Sequence, residues 1–128
     1  MNTPSDLRYT KEHEWVKIES DDVVVFGITD FAQSALGDVV FASLPKVGAS
    51  LTAGQTCGEV ESTKSVSDIY SPVTGVVKEI NEKLANSPEI LNSDPYGAGW
   101  MVKLSGVSKS QVENLFDAEG YQKITESA

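Results

Sequence analysis

A chain of 128 residues with 40% hydrophobic side chains has room for one compact domain with an ordinary core, and little more. Ten Lys and Arg against 19 Asp and Glu give a formal charge of -9, which argues against a nucleic-acid or anionic-membrane surface and favours protein partners with basic patches. Cys57 is the single cysteine, so no intrachain disulfide can form and no cysteine-based metal site is expected.

Residues Met1 to Arg8 carry neither an apolar signal core nor an Arg-rich leader, and no apolar run is long enough to span a bilayer. The expectation is a soluble cytoplasmic protein in a reducing compartment. The β-branched and aromatic runs Trp15 to Ile18 and Val23 to Ile28 flank Glu19 to Asp22 and predict a hairpin. Thr29 and Asp30 then offer N-cap side chains to a helix over Phe31 to Leu36, which Gly37 should stop. Strand-like Val39 to Ala42 follows. Pro45, Gly48, Gly54, Gly58, Pro72 and Gly75 punctuate the next apolar segments at the close spacing of all-β folds.

Further strands are predicted at Val76 to Ile80 and Trp100 to Leu104, with a loop at Asn92 to Gly99 between them. Ser108 and Gln111 have capping-box spacing, and Val112, Leu115 and Phe116 recur at helical intervals. The chain should therefore end in one or two short helices packed on a sheet edge. No solenoid-length repeat or interdomain linker interrupts this pattern. One domain over 1–128 is expected, its core at about 7–104 and a helical extension at about 108–124.

The chemistry is concentrated in Gly58 to Val77. Two strand-like runs, Cys57 to Glu61 and Val66 to Tyr70, bracket the polar Ser62-Thr63-Lys64-Ser65, which puts Lys64 at a hairpin tip. A lysine in a turn is ordinarily only a solvated lysine. At an exposed tip, however, its amine is open to acylation, which removes the charge and makes the side chain the root of a swinging arm.

Glu-Ser-x-Lys followed by Ile-x-Ser-Pro-x-x-Gly resembles the attachment hairpin of lipoyl domains. Biotinyl domains share the architecture but usually place methionines beside the lysine, where Thr63 and Ser65 stand here. Three further stretches, Tyr9 to Val16, Gly27 to Gln33 and Leu36 to Phe41, look like glycine cleavage H proteins, and so does Asn92 to Met101. This resemblance runs from about Leu7 to Leu104. It implies a mainly β, lipoyl-domain-like barrel-sandwich hybrid with a short internal helix and short C-terminal helices.

The resemblance also implies a role: a monomeric carrier, not an enzyme, with lipoate attached to Lys64. Such a carrier takes the aminomethyl group of glycine from a pyridoxal-phosphate glycine decarboxylase to a tetrahydrofolate-dependent aminomethyltransferase, and is then reoxidised by dihydrolipoamide dehydrogenase. A lipoyl-attaching enzyme is a fourth partner, for which Glu61, Ser62, Thr63 and Ser65 are the hairpin residues to recognise. Glu14 and Asp68 are the candidate carboxylates for contact with the arm or its aminomethyl cargo, a role that requires partial burial, since exposed ion pairs contribute only about 0 to 1 kcal/mol.

Other residues bear on the same site. The single histidine, His13, is expected to be structural, because a lone histidine is more often packed or hydrogen-bonded than catalytic. Several family members have histidine in the short helix where this chain has Ala35, and Glu12 stands where a small polar residue can occur. Trp15, Phe26, Phe41 and Trp100 are candidates for either the core or the groove that holds the arm. A Cys57–His13 thiol hydrolase is disfavoured for want of an orienting group and an oxyanion-hole motif. Two alternatives to the shuttle are a relay that passes lipoate to other lipoyl domains, and an unmodified binding module.

Overall fold

The computed structural model describes residues 2–127. Nine strands form two antiparallel sheets that are not closed into a barrel. The larger has the order β1 (Arg8–Tyr9), β2 (Glu14–Ser20), β3 (Val23–Ile28), β9 (Val102–Ser105), β8 (Gly75–Ile80) and β5 (Ser50–Leu51). The smaller has the order β4 (Val39–Ser43), β6 (Thr56–Ser62) and β7 (Val66–Tyr70). Val24, Phe26, Val77 and Leu104 of the first sheet share one buried apolar cluster with Val39, Ala42, Val60 and Ile69 of the second. Burial of both inner faces in one core is what holds the two sheets together.

The predicted β2–β3 hairpin forms, but with a tighter turn of Asp21 and Asp22 and an irregularity between Ile18 and Ser20. Helix α1 (Asp30–Leu36) begins where its cap residues place it: the Thr29 hydroxyl accepts from the amide of Ala32 at 3.2 Å. It ends at Gly37, whose φ of 82° lies in the left-handed region that a Cβ disfavours. Gly58 is demanded by packing instead, because a Cβ there would collide with the carbonyl oxygen of Ser43 on β4.

Several elements depart from expectation. Helices α2 (Lys83–Asn86) and α3 (Ile90–Ser93) were not foreseen, and α3 overlaps the start of the expected 92–99 loop. The last strand begins at Val102, not Trp100. At the C-terminus, α4 (Lys109–Glu113) and α5 (Ala118–Glu126) form, but the Ser108–Gln111 capping box does not. Gln111 is drawn away to Thr74, accepting from its amide at 2.7 Å and donating to its carbonyl at 3.1 Å. Helix α5 packs on β1, the edge of the larger sheet, where Tyr9 and Phe116 exchange backbone hydrogen bonds of 2.8 and 2.9 Å.

Candidate functional site

Strands β6 and β7 pair from Thr56–Tyr70 up to Glu61–Val66, leaving Ser62 to Ser65 to turn the chain. Ser62 faces inward and is 6% exposed. Its hydroxyl accepts from the amides of Lys64 at 3.2 Å and Ser65 at 3.1 Å, and donates to the Ser65 carbonyl at 3.1 Å. A serine closing a turn on its own backbone in this way lowers the freedom of the tip. The Thr63 amide then donates to the Asp38 carbonyl at 3.1 Å, tying the tip to the segment between α1 and β4.

Asn92 makes that segment rigid in turn. Its side-chain oxygen accepts from the Val39 amide at 2.9 Å, and its nitrogen donates to the Gly37 carbonyl at 2.8 Å and to Gln33 Oε1 at 3.0 Å. Lys64 itself is exposed, with its stem running across Gly37: a Cβ on that glycine would stand 3.1 Å from Lys64 Cε. Both ion pairs among the described residues belong to Lys103, so neither engages the Lys64 amine.

Beside the tip lies a cleft of about 300 Å³, near the lower end of the range for small-molecule pockets, about 300 to 1,000 Å³. Helix α1 supplies one wall, with Phe31, Ala32, Ala35 and Leu36. Residues Ser65 to Ile69 of the tip and β7 supply the opposite wall, and Glu12 and His13 close an end. His13 has a left-handed φ of 70°, a conformation that costs a non-glycine residue about 1–2 kcal/mol. Its ring lies 4.6 Å from that of Phe31, and its Nδ1 is 2.7 Å from the Tyr121 hydroxyl. Burial lowers the imidazole pKa, leaving the ring neutral at pH 7.

The two candidate carboxylates occupy different settings. Asp68 is exposed and lines the cleft. Glu14 is 1% exposed and lies outside the cleft wall, where its Oε1 accepts from the Thr10 hydroxyl at 2.6 Å. Burial pushes its carboxyl up to about 7, against the opposing effect of hydrogen bonds from Thr10 and the Tyr70 backbone. Glu14 is thus no ordinary surface acid. Glu61, Thr63 and Ser65 are exposed around the lysine, whereas Ser62 is turned inward and spends its hydroxyl on the turn.

None of the four aromatic candidates lines the cleft; Phe31 does. Trp15 and Phe26 are buried in the core, Phe41 is 53% exposed, and Trp100 lies beneath the Lys103 ammonium, 5.1 Å from its ring. Burial pushes the Cys57 thiol up to about 12, so it holds almost no thiolate at neutral pH. Ala35 and Glu12, the two departures from common family residues, both line the cleft. Sequence reasoning missed Asn92, Phe31 and Tyr121 as site residues. Asn92 lay in a motif already noted, but which backbone groups its amide would satisfy depends on the folded approach of α3 to α1.

Among the described residues, no helix is long and apolar enough to cross a membrane, and no group of three His, Cys, Asp or Glu could hold a metal ion. Two antiparallel sheets on one core, with an exposed lysine at the tip of a β-hairpin, fit the lipoyl-domain-like fold that the sequence resemblance implies.

A sequence model of the glycine cleavage H-protein matches residues 7–128. The glycine cleavage system H protein of Mycobacterium avium (strain 104) is 58% identical over 123 residues, 93% of each chain. That of Mycobacterium tuberculosis (strain H37Rv) is 55% identical over 125 residues, again 93% of each. A crystal structure of a glycine cleavage system H protein from Mycobacterium marinum superposes with a TM-score of 0.86 at 42% identity, covering 94% of this chain and 96% of that one. The chain belongs to the family of glycine cleavage H-proteins, the lipoyl carriers of the glycine cleavage system.

Proposed function

We propose that Lys64 is the lysine that receives the lipoyl group, and that the cleft between α1 and β7 receives the arm when it is loaded. The observation that carries this reading is the pairing of an exposed lysine on an immobilised tip with a cleft that starts at the next residue, Ser65. Its walls suit the group. Phe31, Leu36 and Ile69 offer apolar contact for a short hydrocarbon chain and a sulfur ring, while Asp68 places a carboxyl where a cationic end would lie. A bound lipoyl group supplies the redox-active disulfide that takes up the one-carbon unit of glycine.

The remaining work falls to the chain's own residues. Gly37 leaves the lysine stem room, and the Ser62 and Asp38 contacts fix the direction in which it leaves the hairpin. Asp68 pairs with a cationic amine at the cleft. Glu14, next to His13 in sequence but buried outside the cleft wall, is the other candidate carboxyl, and its proton, held by burial up to about pH 7, can be released when a cation arrives nearby. Glu61, Thr63 and Ser65 are read by the lipoyl-attaching enzyme from outside, with Ser62 shaping the turn from within.

The protein then serves as a shared substrate and not as an enzyme, in turn of a pyridoxal-phosphate glycine decarboxylase, a tetrahydrofolate-dependent aminomethyltransferase and a dihydrolipoamide dehydrogenase. It acts as a cytoplasmic monomer and as one domain, with the C-terminal helices an extension of the 7–104 core. Exchange of labelled bicarbonate into glycine by the decarboxylase tests the assignment. Lipoylated wild type should support it and Lys64→Arg should not; equal exchange by both would remove Lys64 from the role.

A further inference from the structure

One hydroxyl links the end of the cleft at His13 to the start of its α1 wall, and it comes from outside the hairpin and outside α1. Tyr121 on α5 places its oxygen 2.7 Å from His13 Nδ1 and 2.7 Å from Thr29 Oγ1. His13 closes one end of the cleft, and Thr29 is the N-cap of the helix that forms its wall. The same two residues are linked directly, since the Thr29 amide donates to the His13 carbonyl at 3.0 Å. Thr29 is fully buried and its hydroxyl pair with Tyr121 lies out of water, so that pair has no solvent to replace it; the Thr29 oxygen also accepts from the Ala32 amide at the start of α1.

The strut has a clear mechanical purpose. His13 holds an unfavourable left-handed backbone, and its ring is gripped between the Phe31 ring and the Tyr121 hydroxyl. Tyr121 is itself held without using its hydroxyl: its ring stacks on Tyr9 at 4.7 Å and 10°, and the Tyr9–Phe116 backbone pair anchors the chain just before α5. A stacked and hydrogen-bonded base therefore presents one hydroxyl to both the His13 turn and the start of α1.

We propose that Tyr121 is a positioning residue for the arm cleft: the C-terminal helix, through this one hydroxyl, sets the spacing between His13 and the start of α1, and so how well a loaded arm is sheltered. The proposal rests on the reading of the cleft as the arm's docking place. It gives the C-terminal extension a role in the carrier's chemistry, although no residue of that extension lines the cleft.

Tyr121→Phe isolates the hydroxyl, because the ring stack and the Tyr9–Phe116 pair remain. Val112→Ala, in the buried face of α4, serves as a control that lowers stability without touching the strut. Two measurements are made on the full lipoylated chain: amide hydrogen exchange residue by residue, and the rate at which protein loaded from glycine releases formaldehyde in the absence of the aminomethyltransferase.

Relative to Val112→Ala, Tyr121→Phe should speed exchange at Thr29, Ala32 and Gln33 about tenfold and release formaldehyde several-fold faster. Thr29→Ser, which keeps a hydroxyl at the junction, should stay near wild type in both. Exchange that rises evenly over the chain, or release no faster than in the control, overturns the proposal. Should the loaded wild type release formaldehyde as fast when folded as when unfolded, the docking reading fails and takes the proposal with it; unaltered local exchange in Tyr121→Phe would instead refute the strut alone.

Discussion

Replacing Glu14 by Gln tests whether a buried carboxyl beside the cleft is protonated when the protein folds. The ordinary carboxyl value of 4.5 rises to about 7 in the folded chain, chiefly through burial, and that rise corresponds to about 3 kcal/mol of free energy. The sign follows from the folded state holding the proton more tightly than the unfolded one. Glu14 therefore contributes stability that is fully present below pH 4.5 and is lost as the pH climbs through about 7. Glutamine keeps an oxygen for the Thr10 hydroxyl and never ionises. Urea denaturation of both proteins at pH 5 and pH 8 isolates the effect, because every other titrating group, His13 included, is common to the two. The stability of Glu14→Gln relative to wild type should rise by about 2–3 kcal/mol between those values. Parallel pH profiles would show that Glu14 ionises as a solvated acid does, and would refute the argument from burial.

Two further substitutions probe the platform under Lys64. Gly37→Ala forces a Cβ into a left-handed backbone and against the lysine stem, and should cost about 1–2 kcal/mol in urea denaturation while slowing lipoylation by the attaching enzyme. Asn92→Ala removes three hydrogen bonds at the α1–β4 junction, leaving the Val39 amide and Gly37 carbonyl without their partner. A loss of about 2–4 kcal/mol is expected from two or more stranded backbone groups, with faster amide exchange at Val39 and Thr63. Unchanged exchange at Thr63 would mean that the tip does not depend on this junction.

Much of this architecture was legible where local chemistry decides the structure. Thr29 before α1 and Gly37 after it are cap residues whose side chain and φ act within one turn, and both act as read. The same holds for the alternation that makes β6 and β7 a hairpin: Val60 is fully buried while its neighbours Glu59 and Glu61 are exposed. Helices α2 and α3 escaped notice because each has four residues and neither has a side-chain cap, so no period or capping signal is long enough to register. Ser108 and Gln111 had the right spacing and failed, since a distant backbone pair at Thr74 competes better for the glutamine.

The candidate site divides along the same line. Lys64 and its flanking residues sit together because they are neighbours in sequence, and Asp68 joins the cleft two residues along the same face of β7 from Val66. Glu14 carried no sign that its side chain would be buried and its proton retained, because that depends on the larger sheet meeting the end of β7 at Tyr70. Tyr121 is more than a hundred residues from His13 and was read only as part of a terminal helix. Contacts of that separation are fixed by the packing of α5 on β1, and no spacing rule within one segment reports them.

The central claim is that Lys64 carries the arm. Intact mass of the protein from its native cells grown with lipoate, followed by peptide fragmentation, tests it most directly. A lipoyl increment on the peptide that holds Lys64, absent from Lys64→Arg, is the predicted result. An unmodified Lys64 in cells whose other lipoyl domains are loaded would contradict the account and leave the hairpin as part of an unmodified binding module.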